Sequence, residues 1–130
     1  MKILLDTHCW LWWFLAPERM SERAKEIIAE PRNELFLSAA SAWEIAIKCG
    51  LGKLSLPSPP EQYVPDRMSL QGMQALPIHH SHALQVAVLP KHHSDPFDRL
   101  LIAQAQMERL TLMTADPQFR PYAVDLLWAA

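Results

Sequence analysis

The chain has 130 residues, half of them hydrophobic and a fifth charged. That composition suits one packed core and excludes an intrinsically disordered chain. The formal charge is −2 and the pI is near 6.3. These values exclude a protein that grips a polyanion by bulk positive charge, but not an enzyme that meets one through a bound cation.

No apolar run approaches the ~20 residues needed to span a bilayer. Asp6 interrupts the run from Met1 to Leu5 too early for a secretory leader, so the expected location is cytoplasmic. Cys9 and Cys49 lack metal-ligand spacing and read as two free thiols. Five tryptophans are many for this length. Trp10, Trp12 and Trp13 cluster near the N-terminus, where core and interface are the expected uses.

Lys2 to Leu5 is a short apolar run and predicts a buried strand. Thr7 to Leu15 lacks Gly and Pro and predicts a helix, closed by Pro17. Ser21 has the chemistry of an N-cap for an amphipathic helix reaching about Glu30. Leu35 to Leu37 predicts a second strand, and Ala39 to Cys49 a helix stopped by Gly50 and Gly52. The prolines at 57, 59 and 60 stiffen a loop. A helix is expected next over Glu61 to Gln71, with Pro65 counting against its first part. Leu76 to Ile78 predicts a short strand, and Ser81 to Leu89 a helix stopped by Pro90. Pro96 suits the first position of a helix running to about Arg109. Leu110 to Met113 and Val124 to Trp128 predict the last strands. Strands alternating with helices imply an α/β fold, a mostly parallel sheet with helices on both faces, in one domain over 1–130.

In such a sheet the strand C-termini and the helix N-termini share one edge, where ligands bind. Asp6 ends the first strand, and Glu44 lies early in the helix after the second. Asp98 is in the first turn of the helix opened by Pro96, and Asp116 comes just after the fourth strand. Topology alone brings all four to one edge.

Each acid also has a local use. Asp6 and Asp116 can cap the helical turns that begin just after them. Ser41 to Glu44 has capping-box spacing, and Asp95 to Asp98 imitates one. Glu44 can pair with Lys48 one turn on. On a helix, however, Glu44 shares its face with Ala40, Ile47 and Leu51, and Asp98 with Leu101, Ile102 and Ala105. Carboxylates among apolar groups are costly unless paired or bound to a cation. Oxygen ligands alone select a hard cation, Mg²⁺ or Mn²⁺. Such a cation on a carboxylate edge suits phosphodiester hydrolysis.

His79, His80, His82, His92 and His93 lack the context of a zinc motif, and His8 lies close to Asp6. Lys48, Lys53, Arg99 and Arg120 are candidate contacts to flanking phosphates, although isolated surface charge is their default reading. Thr7 and Thr114 sit beside acids, placed to bond a carboxylate or to make local turns.

Four ordered stretches carry a resemblance. They are Leu4-Leu5-Asp6-Thr7-His8, Ser38 to Ile45, Asp95-Pro96-Phe97-Asp98 running on to Ala105, and Thr114-Ala115-Asp116 with the terminal Leu126-Leu127-Trp128. Together they resemble the PIN-domain family, and within it the VapC-like toxin ribonucleases of type II toxin–antitoxin systems. The resemblance implies an α/β/α sandwich around a five-stranded parallel sheet, and a Mg²⁺- or Mn²⁺-dependent endoribonuclease. It implies Asp6, Glu44 and Asp98 as core acids and Asp116 as a fourth, with Asp6 and Asp98 as metal ligands and Thr7 and Thr114 in support. Asp95 is a rival for the third acid. The implied partners are RNA, a small antitoxin whose tail fills the acidic groove, and a second copy of the chain, with Trp10 to Phe14 a candidate interface.

Two other readings use the same edge. A phosphatase with Asp6 as nucleophile wants a second Asp where His8 stands. A catalytically silent PIN-like binding domain has no need of acids in all four stretches.

Overall fold

A computed structural model describes residues 1–130. The strands are Lys2–Leu5 (β1), Glu34–Ser38 (β2), Gln74–Leu76 (β3), Thr111–Thr114 (β4) and Leu126–Trp128 (β5). All neighbours pair in parallel, in the order β3-β2-β1-β4-β5. The helices are Thr7–Leu15 (α1), Glu22–Ala29 (α2), Ala39–Gly50 (α3), Pro60–Gln71 (α4), His80–Gln85 (α5) and Pro96–Glu108 (α6).

The pleat of β1 divides the core in two. Ile3 and Leu5 join Leu35, Leu37 and Met113 under Trp10 of α1 and Ile28 of α2. Leu4 joins Leu112 on the other face, under Leu101 and Ile102 of α6 and Phe119. Helices thus cover both faces, and the sandwich has three layers.

The central strand also sets the position of the site. From β1 the chain builds outward to β2 and β3, then returns to lay β4 and β5 on the opposite side. The reversal lies between the C-terminal ends of β1 and β4, where an open parallel sheet offers its binding crevice. There the Asp6 N–H donates to the Met113 carbonyl at 3.0 Å.

Several elements differ from the sequence reading. Pro65 does not interrupt α4. Tyr63 and Val64 are buried and hold the helix, while Pro65 faces solvent, so tertiary packing overrides propensity. The third strand is Gln74–Leu76, not Leu76 to Ile78. It is an edge strand ended by Pro77, which has no N–H to donate. The helix expected over Ser81 to Leu89 is α5 followed by a 3-10 turn over Val86–Val88. The tryptophan segment is divided between core and surface, Leu11 to Phe14 being half-buried. Trp10 is fully buried, Trp12, Trp13 and Phe14 pack against the same core, and Trp13 Nε1 donates to Gln71 Oε1 at 3.0 Å.

Candidate active site

Asp6 combines capping with burial at the edge of the sheet. Its Oδ1 accepts the Cys9 N–H at 2.7 Å, and its Oδ2 accepts the Thr114 hydroxyl at 2.6 Å. Only 3% of the residue is exposed. Burial pushes its pKa above the usual carboxylate range, against the lowering effect of these donors. Burial likewise pushes the neighbouring Cys9 thiol up, so it stays protonated.

Glu44 arrives from α3, which Ser38 caps by accepting the Ala40 N–H at 3.0 Å. The capping box expected between Ser41 and Glu44 is therefore absent, because the helix starts earlier. Ser41 is buried and accepts the Thr7 hydroxyl at 2.9 Å. Thr7 thus ties α1 to α3 through Ser41, with no hydrogen bond to a carboxylate, whereas Thr114 bonds Asp6 directly. The buried stripe of α3 is Ala40, Ser41, Glu44 and Ile45. Ile47 lies at its flank and Leu51 beyond the helix end, and both are exposed. Glu44 Oε2 pairs with Lys48 Nζ at 2.8 Å, while Oε1 is buried without a hydrogen-bond partner.

Asp98 stands in the first turn of α6 with Leu101, Ile102 and Ala105 buried beside it. Its pKa is pushed up to about 8, first by burial and then by the charges of Asp95, Asp6, Glu44 and Asp116. Acids from distant parts of the chain therefore act on one carboxyl. Asp95 contributes charge but is the cap of α6, its Oδ1 accepting from the N–H groups of Phe97 at 2.8 Å and Asp98 at 3.2 Å. Asp116 caps a 3-10 turn, accepting the Gln118 N–H on Oδ1 at 2.9 Å, and turns Oδ2 toward the site.

The sequence reading missed one member of this cluster. His93 is 7% exposed, and its Nε2 lies 3.1 Å from Asp98 Oδ2 and 3.0 Å from Asp116 Oδ2. It joins these two acids in one group of potential metal donors. The available signal was its place five residues before Asp98, in a loop held by the Asp95 cap. His79 and His82 instead cap α5, and His82 Nε2 contacts Glu108 at 2.8 Å.

The cations suggested for phosphate are largely engaged elsewhere. Arg99 donates to the carbonyls of Pro90 and Val86, each at 2.9 Å. Arg120 lies 4.5 Å over the Trp128 ring, and Lys48 holds Glu44. Access comes through an opening of about 250 Å³ lined by Asp6, His8, Trp12, Ala115 and Asp116. A larger hollow of about 600 Å³ lies by the C-terminal end of α6, away from the acids.

The PIN domain family model matches residues 3–125. The chain belongs to the PIN-domain family. This PIN domain is 30% identical over 121 residues to ribonuclease VapC22 of Mycobacterium tuberculosis, covering 92% of the chain and 91% of that protein. It is 48% identical over 68 residues to ribonuclease VapC16 of the same organism, covering 52% of the chain and 48% of that relative. Among solved structures it superposes on VapBC2 of Rickettsia felis, bound to a promoter DNA fragment, with a TM-score of 0.74 at 15% identity and full coverage of both chains. DNA-bound VapBC of Salmonella typhimurium gives 0.65 at 18% identity, with 98% of each chain covered. At these identities the structural likeness speaks for the fold. It places the five-stranded parallel sheet and flanking helices within the PIN architecture.

Proposed function

We propose that this PIN domain is a divalent-metal-dependent endoribonuclease, the toxin of a toxin–antitoxin pair, with Asp6, Glu44, Asp98 and Asp116 as its catalytic acids. The observation that carries the reading is the meeting of Asp98 and Asp116 at His93 Nε2, 3.1 and 3.0 Å away, with the buried Asp6 and Glu44 near enough to raise the Asp98 carboxyl. The residues fit a hard cation. The carboxylates offer oxygen, Glu44 Oε1 has no protein donor, and no arginine pairs with these acids. Asp6 and Asp98 would hold Mg²⁺ or Mn²⁺, with Glu44 and Asp116 beside them. A cation there supplies Lewis acidity toward water and toward the phosphate. Thr114 holds the Asp6 carboxylate in place, and Thr7 with Ser41 fixes α3 so that Glu44 faces the cluster.

The acidic groove of a chain with net charge −2 needs that cation to admit a polyanion. The same groove suits the cationic tail of a small antitoxin. Structural neighbours solved as VapBC or toxin–antitoxin assemblies support this partner. We place the activity in the cytoplasm, as one domain over 1–130 acting in a homodimer. No helix is long and apolar enough to cross a membrane.

The test is cleavage of a mixed RNA pool by purified protein with Mg²⁺ or Mn²⁺. Wild type should cut, chelation should stop it, and Asp98→Asn should reduce cutting to background with the fold intact. Cutting by Asp98→Asn at the wild-type rate would reject the site.

A further inference from the structure

We propose that His93 is a positioning residue of the metal centre, using its Nε2–H to hold Asp98 and Asp116 together while it stays outside the cation's ligand set. This rests on reading the acids as a metal site.

At first sight His93, Asp98 and Asp116 form a ligand triad, with one donor atom from each lying within 4.8 Å of the others. The other ring nitrogen decides between the two roles. His93 Nδ1 lies 3.1 Å from the Asp95 backbone N–H, which donates to it. A nitrogen that accepts a hydrogen bond carries no proton, so the neutral ring bears its proton on Nε2. That proton points at Asp116 Oδ2 at 3.0 Å and Asp98 Oδ2 at 3.1 Å. Ligation through Nε2 would require moving the proton to Nδ1. Two N–H groups would then face each other at the start of α6, and the Asp95 N–H would lose its acceptor. As a donor, His93 offsets the repulsion between two carboxylates and leaves an all-oxygen ligand set, which favours Mg²⁺ or Mn²⁺ over zinc.

The surroundings hold the ring in this orientation. It packs edge-on against Phe119, with centroids 5.4 Å apart. The His93 backbone N–H donates to the Tyr122 hydroxyl at 2.8 Å, and the His92 N–H does so at 3.0 Å. That hydroxyl donates in turn to the Pro90 carbonyl at 2.8 Å. Arg99 closes the loop from the other side through the carbonyls of Pro90 and Val86.

The test uses the whole chain with ¹⁵N-labelled histidine. In metal-free protein the His93 ring should show the Nε2–H tautomer, and saturating Mg²⁺ should leave Nε2 protonated. Loss of that proton, or a directly bonded nitrogen in the spin-echo spectrum of the Mn²⁺ form, would overturn the proposal. His93→Ala should weaken Mn²⁺ binding by about 10- to 100-fold. His93→Gln, which restores an N–H near the same point, should recover most of it. If Asp98→Asn loses Mn²⁺ while His93→Ala binds like wild type, the positioning role fails and the site stands. If Asp98→Asn also binds like wild type, the site reading itself fails.

Discussion

Asp98 is poised between two states, and its protonation should be visible in stability. Its pKa rises from an ordinary value of 3.8 to about 8 in the folded chain. Between those values the folded protein holds a proton that the unfolded chain has released. Stability of the metal-free protein should therefore fall as pH climbs across that window, by at most ~1.4 kcal/mol per pH unit from this group. Asp6, also shifted upward, acts in the same direction. Thermal melts in chelator from pH 5 to pH 8.5 would show the decline, and a flat profile would contradict it. Asp98→Asn removes the buried charge. It should stabilise the metal-free protein at pH 8.5 by about 1–3 kcal/mol while abolishing cleavage. At this scale the sequence brought the acids to one edge, because each lies at or just past a strand end or within the first two turns of a helix. It did not reveal His93, because its role depends on a backbone N–H of Asp95 that only the folded loop brings to its ring.

The loop from Pro90 to Asp95, between the 3-10 turn and α6, is held as a unit by Tyr122 and Arg99. The Tyr122 hydroxyl accepts from two backbone N–H groups and from Arg99 Nη1 and donates to one carbonyl, and all four bonds disappear in Tyr122→Phe. That variant should lose about 1–3 kcal/mol and expose the amides of His92 and His93 to faster hydrogen exchange. Unchanged exchange at both amides would show that the hydroxyl does not hold the loop. The same contacts explain why α5 is shorter than its sequence suggests. Arg99 takes the Val86 carbonyl, and the chain tightens into a 3-10 turn there. Local pattern found β1, α1, α2, α3 and α6, whose apolar periodicity and caps agree with their tertiary packing. It also found α4, against the mark of Pro65, and misjudged β3 and α5, where an edge strand of low apolar content and a long-range arginine decide the outcome. Propensity carries little information about such partners.

For the molecule as a whole, burying acids on a central edge while leaving the outside apolar in places has a consequence for assembly. Trp43 and Ile47 on α3, with Leu51 just past its end, are 59%, 37% and 64% exposed and run along one side of the helix. Trp43 also meets the Phe97 ring edge-on at 5.2 Å, beside Glu44 and Asp98. An exposed apolar stripe of this kind suits the second copy in the homodimer proposed above. Ile47→Asp should shift the protein from dimer to monomer in light scattering. A variant that stays dimeric would move the interface elsewhere.

Activity and the role of His93 both depend on where a hard cation settles. Crystals soaked in Mn²⁺ and measured for anomalous scattering should show a peak bonded to carboxylate oxygens of Asp6 and Asp98, with His93 Nε2 outside bonding distance. A peak at another surface, or none at saturating Mn²⁺, would contradict it.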